Sequence, residues 1–207
     1  MDDIYKDLVS FSRIKETLQE QRKTVVWLGE QLGLLPSRVS QIIIGAQTPK
    51  TDLVAKIAGT LKVHVSDICS FSGIETADYF KDRELMYSPP SDAGTELTYR
   101  PLRRFLEAYL KEHPGKTADD LFDRIEPYRR RMGYKHGLTR EAIVKSLAAR
   151  GLEMNGYSEA HPKRSYKNGL PYKTRTKLRQ DRPLNIRTVY DICKFLGCSV
   201  DFVMSYK

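Results

Sequence analysis

Apolar residues recur at helical spacing through most of this chain. Ile4, Leu8, Phe11, Ile14 and Leu18 mark a first helix, running to about Arg22. Thr24 is placed to cap a second, VVWLGEQLG, because a threonine hydroxyl accepts from an unpartnered N–H of the first turn. Gly33 suits the turn that follows, and Pro36 suits the first turn of PSRVSQIII, where a missing N–H costs nothing. Gly45 closes that helix. Beyond the loop AQTPK, Leu53, Val54, Ile57, Ala58 and Leu61 form the inner face of a fourth helix. A last short helix starts near Ser66, with Ile68 inward. Residues 72–95 contain Ser88-Pro89-Pro90-Ser91 and Asp92-Ala93-Gly94, the composition of a linker. Leu102, Phe105, Leu106, Tyr109 and Leu110 predict an amphipathic helix ending near Pro114-Gly115, and Thr117 with Asp120 predicts a capped one.

Two short helices around a tight turn, inside a bundle of about five, make a helix-turn-helix. The stretch from Thr24 through Leu28, Gly33, Ser40 and Gly45 to Pro49, followed by LVAKIAGTLKVHVSDI, resembles the phage-repressor type of this motif, the Cro/XRE family. The resemblance spans about 60 residues. It implies that the second motif helix enters the major groove of DNA. Carried onto this chain, the base-facing positions are Ser37, Arg38 and Gln41 with Ser40 beside them, and Gln47, Thr48 and Lys50 in the exit loop touch the backbone. Arginine pairs bidentately with guanine, and glutamine with adenine. Val25 and Pro36 stand where the family usually carries glutamine, and Val25-Val26-Trp27 is an unusually apolar row. Trp27 either packs on the first helix or faces a protein partner, a dimer mate or the other domain.

An internal repeat also emerges. An offset of 135 residues sets Val54 on Val189, Ile57 on Ile192, Leu61 on Leu196, Val65 on Val200 and Ile68 on Val203. Residues 186–204 therefore resemble the closing helices of the same family, and the repeated Asp-Ile-Cys at 67–69 and 191–193 is coincidental. Working backwards, Tyr172 to Leu178 takes the place of the recognition helix, and Leu138 to Leu152 that of the helix before it. The residues between, about 152–169, are an insertion. Gln180 stands where the family prefers glycine.

Charge sharpens this picture. Of the formal net charge of +9, residues 1–71 hold 9 basic and 8 acidic side chains, residues 72–119 hold 7 and 9, and residues 120–207 hold 19 and 9. The last part alone makes the chain basic, which implies a polyanionic partner. Residues 164–187 carry eight Lys/Arg and one carboxylate. Within and beside this stretch, Lys173, Thr174, Arg175 and Lys177 are the expected base-facing residues. Lys163, Arg164, Lys167, Arg179 and Arg182 are expected on phosphates or in a minor groove.

The expected fold is all-α: two lambda-repressor-like helix-turn-helix bundles, residues 1–71 and 96–207, joined by a linker at 72–95. The expected function is a DNA-binding transcriptional regulator, in the simplest case a repressor, with double-stranded DNA as partner and a homodimer as one possible state. The alternative is a protein-interaction module whose first domain binds a protein through the Trp27 face while only the second holds nucleic acid. An enzyme is not expected, since the carboxylates are scattered rather than clustered. Cys69, Cys193 and Cys198 lack metal-ligand spacing, so neither metal nor cofactor is expected, and each reads as a buried reduced thiol. No apolar run approaches the ~20 residues of a membrane span. The acidic start MDDIYKDLVSF does not read as a signal peptide, so the expected compartment is the cytoplasm.

Overall fold

The computed structural model describes residues 8–77, 94–125 and 169–207. Its described part is mostly helical, with eight α-helices and two small antiparallel strand pairs. The order is β1 (Val9–Ser10), α1 (Arg13–Glu20), α2 (Val25–Leu32), α3 (Pro36–Ile43), α4 (Thr51–Leu61), a 3-10 turn (Val65–Asp67) and β2 (Ser70–Phe71). Then come β3 (Leu97–Thr98), α5 (Arg100–Glu112), α6 (Ala118–Phe122), α7 (Tyr172–Arg179), α8 (Ile186–Leu196), a second 3-10 turn (Val200–Phe202) and β4 (Ser205–Tyr206).

The caps act where the sequence puts them. Thr24 Oγ1 accepts from the Trp27 N–H at 3.1 Å, and Thr117 Oγ1 from the Asp120 N–H at 3.2 Å. Gly33 ends α2 at φ 65°, a left-handed conformation that glycine adopts without a Cβ clash. Leu34 N–H then reaches back to the Gly29 carbonyl at 2.8 Å, so tightly that a Cβ on Gly29 would stand 2.8 Å from the Leu34 carbonyl oxygen.

The chain start differs from its periodicity. A first helix reaching back to Ile4 is expected, yet α1 begins at Arg13, and residues 1–7 lie outside the described part. Val9 and Phe11 are buried with Ser10 between them, a period-two alternation that suits a strand. Val9 pairs with Phe71 and Ser10 with Ser70. The partner lies some sixty residues away, beyond the reach of any local pattern.

The two halves share a plan. Thr51–Leu61, Val65–Asp67 and Ser70–Phe71 recur 135 residues later as Ile186–Leu196, Val200–Phe202 and Ser205–Tyr206. The halves also pack on each other in one continuous core. Lys50 bridges to Asn185, the Ser66 N–H donates to Asp201 at 3.3 Å, and α4 lies against β3 and β4. In return Tyr190 of α8 sets its ring edge-on to Phe71 of β2, 5.4 Å between centroids, and its hydroxyl donates to the Ser72 carbonyl. Residues 72–77, the start of the expected linker, therefore run along α8. Lys194 donates to the Gly73 carbonyl and the Ala77 N–H to that of Gly197.

Asp181 ties the second half together. It sits at φ 52°, where aspartate is better tolerated than most side chains. It takes two hydrogen bonds from Arg103, at 2.8 and 3.1 Å, and one from the Tyr99 N–H at 2.6 Å. Burial acts against its ionisation. The Arg103 hydrogen bonds, the Tyr99 N–H and the charges of Arg103 and Lys207 outweigh that, so the carboxyl titrates below its usual range. A carboxyl with a depressed folded-state pKa contributes stability above its unfolded pKa, about 3.9, and loses it as pH falls through the folded value. Asp181→Asn keeps the backbone preference and removes the charge. It should cost about 1–3 kcal/mol at pH 7. The gap from wild type should close below about pH 4 in pH-resolved urea melts; a gap that stays constant down to pH 2.5 would refute the linkage.

Candidate nucleic-acid interface

α3 divides its side chains cleanly. Val39 and Ile42 are fully buried, while Ser37, Arg38, Ser40 and Gln41 are exposed. A helix turns 100° per residue, so anchoring positions 39 and 42 inward leaves 37, 38, 40 and 41 together on the outside. The exit loop stays close: Gln47 N–H donates to the Gln41 carbonyl at 3.0 Å, with the Gln47 side chain half-buried and Thr48 and Lys50 exposed. Arg187 of α8 donates to Thr48 Oγ1 at 3.3 Å, so this loop abuts the start of α8. Nothing in the local sequence links Arg187 to Thr48; only the packing of the two halves does. Trp27 is half-buried on the core, its ring capped by the Lys23 ammonium at 4.2 Å.

Among the described residues of the second half, the helix beside α7 is α6. The Leu170 N–H bonds the Phe122 carbonyl at 2.9 Å, the counterpart of the Leu34–Gly29 bond. Residues 33–35 join α2 to α3, whereas residues 123–171 separate α6 from α7, and Gly169 touches Asp123. The expected motif helix at 138–152 and most of the insertion at 152–169 lie outside the described residues, as do Lys163, Arg164 and Lys167.

The matched hydrogen bonds fix the register. Leu170 answers to Leu34, so across this helix the offset is 136, not 135. The loop from α3 to α4 has seven residues (44–50) and that from α7 to α8 has six (180–185), which accounts for the one-residue change. Leu178 then occupies the place of buried Ile42, and Arg175 that of buried Val39.

Arg175 accordingly turns inward. Its side chain is 13% exposed, pairs with Asp119 at 3.1 Å and with Asp123, and donates to the Leu170 carbonyl at 2.8 Å. Burial disfavours its charge, but the hydrogen bonds it donates to Asp123 and Asp119 and their negative charges more than compensate, and its pKa rises. Arg175 was expected to face DNA, and this placement differs. The positions matching Ser37, Arg38, Ser40 and Gln41 are Lys173, Thr174, Thr176 and Lys177. Lys173 is exposed, and the other three are half-exposed. Thr176 is not among the residues the sequence reading expects at DNA. Arg179 is exposed and pairs with Asp119 at 3.1 Å; Arg182 and Tyr172 are exposed. By the same register Asp181, not Gln180, takes the left-handed place of Gly45.

The three cysteines are buried and free, and burial pushes the Cys69 and Cys193 thiols up. Among the described residues no His/Cys/Asp/Glu group could hold a metal ion, and no helix is long and apolar enough to cross a membrane. No known family, curated protein or solved structure matches this chain.

Proposed function

We propose that this chain is a DNA-binding transcriptional regulator of the phage-repressor helix-turn-helix type, acting by occupying an operator. The division of α3 carries the reading: Val39 and Ile42 anchor it, and Ser37, Arg38, Ser40 and Gln41 form an outward polar row. Such a row provides hydrogen-bond donors and acceptors suited to base edges in a major groove. The α7 row of Lys173, Thr174, Thr176 and Lys177 is a second head of different chemistry, within the most basic part of the chain.

The test is selection of bound duplexes from a random-site pool, followed by titration of the winner. Arg38→Ala should weaken binding to the selected site by about 10–100-fold, the loss of a bidentate base contact, with little change on unrelated DNA. Lys173→Ala should also weaken it, and each lost phosphate contact should flatten the salt dependence by about one power.

A second reading is favoured by Val26, Leu35 and Ile44. These are three of the four large apolar side chains exposed among the described residues, and all lie in the first half. In it, the first half holds a protein partner and only the second grips nucleic acid. It requires Arg38→Ala to leave DNA affinity unchanged, so the same titration separates the two.

A further inference from the structure

The way the halves meet bears on what DNA they would fit. Two arrangements can join copies of one fold. In a head-to-tail arrangement, one surface of the first copy meets a different surface of the second. In a two-fold arrangement, each element on the axis meets its own counterpart, and elements off the axis exchange contacts reciprocally.

Here counterparts meet. Lys50 and Asn185 are 135 residues apart, each precedes the first residue of its helix, and the two form a bridge. Ser66 and Asp201 are also 135 apart, and they share a hydrogen bond. The 3-10 turns containing them pack together. Two self-contacting pairs at separate points define a line, and that line is the axis. The off-axis contacts reciprocate as well: α4 rests on the strand pair of the second half, and Tyr190 of α8 on that of the first. Resting on the DNA-reading proposal, we infer that one chain is its own dimer, and that it docks as a single molecule on an inverted repeat whose two half-sites differ.

A two-fold relation between the heads sets the half-sites in opposite orientation, so the site is inverted rather than direct. The heads carry different side chains, Ser37, Arg38, Ser40 and Gln41 against Lys173, Thr174, Thr176 and Lys177, so the half-sites differ. The surface that a homodimer of this arrangement would use is already occupied by the other half of the same chain.

The experiment makes the heads alike. The variant Lys173→Ser/Thr174→Arg/Thr176→Ser/Lys177→Gln gives α7 the outward row of α3. None of these side chains is buried, so the fold should persist, checked by circular dichroism. The reciprocal variant Ser37→Lys/Arg38→Thr/Ser40→Thr/Gln41→Lys provides an independent second form. Wild type and both variants are used to select from a pool of duplexes with a random stretch of about 30 base pairs, three helical turns, and native mass spectrometry counts chains per duplex.

The expected result is two unequal half-motifs for wild type, bound one chain per duplex. For each variant it is a symmetric inverted repeat, again at one chain. Reversing one half-site should then weaken binding at least ~10-fold, since each base mismatch costs about 1–3 kcal/mol. A direct repeat selected by either variant overturns the two-fold reading, and two chains per duplex overturns the self-contained dimer; both leave DNA reading intact. Enrichment of no sequence by any form defeats the DNA-reading proposal, and the inference with it.

Discussion

Thr51→Val should lower the stability of this chain by about 2–5 kcal/mol, although the replacement has nearly the same shape. Thr51 is fully buried where the halves meet. Its Oγ1 lies 2.8 Å from the Tyr99 hydroxyl, accepts from the Leu184 N–H at 2.9 Å and lies 3.3 Å from the Leu184 carbonyl as donor. A hydroxyl has one proton and two lone pairs, and with Tyr99 donating, all three are used. Valine offers neither donor nor acceptor. The Leu184 N–H and the Tyr99 O–H lose their partner in a dry site, at about 1–3 kcal/mol each. Tyr99→Phe removes one of these bonds and should cost less. The double variant should cost less than the sum, because with the tyrosine hydroxyl gone one orphaned group disappears. Thermal melts should show the Thr51→Val midpoint down by roughly 5–15 °C for a chain of this size. A drop below about 1 kcal/mol would mean that water replaces the hydroxyl. Both halves should melt together, since Thr51, Leu184 and Tyr99 belong to opposite sides of the junction.

The two kinds of signal in the sequence differ in reach. Caps and turns are local: Thr24, Gly33, Pro36 and Thr117 each act on residues within about one turn, so their positions were legible. The alignment of Thr51–Leu61 on Ile186–Leu196 was legible too, because a buried helix face writes its period into the chain. What depends on distant partners was hidden. The strand Val9–Ser10 exists because Ser70–Phe71 comes alongside, and two residues carry too little pattern to announce it. The five-residue α6 has only Leu121 and Phe122 buried, too short a pattern to announce its place beside α7. The inward place of Arg175 was hidden by a single residue in a loop. An offset tested only on the closing helices is blind to a length change upstream, and on a helix one residue is a third of a turn. That is enough to exchange an inward Arg175 for an outward one.

Arg175→Ala and Arg175→Met separate these two orientations. Alanine removes the guanidinium from Asp119, Asp123 and the Leu170 carbonyl and withdraws the stem from beside Phe122, leaving a void under α7. The loss should be about 2–4 kcal/mol, from the void under α7 together with the lost hydrogen bonds of a part-buried pair. Methionine restores the apolar stem, much as valine serves at position 39. Asp119 and Asp123 are about half exposed, at 50% and 49%, so water can take over their charge when the arginine goes. Buried ion pairs often yield to apolar residues at little net cost, so Arg175→Met should recover most of the stability and remain within about 1 kcal/mol of wild type. If the side chain only anchors α7, Arg175→Met should also bind the selected site within about threefold of wild type, with Lys173→Ala weaker than either. A methionine variant that melts like wild type yet loses tenfold or more in DNA affinity would show that Arg175 leaves its two aspartates on binding. The outward orientation would then be the one that meets DNA, and Asp119 and Asp123 would compete with phosphate or base for the same guanidinium.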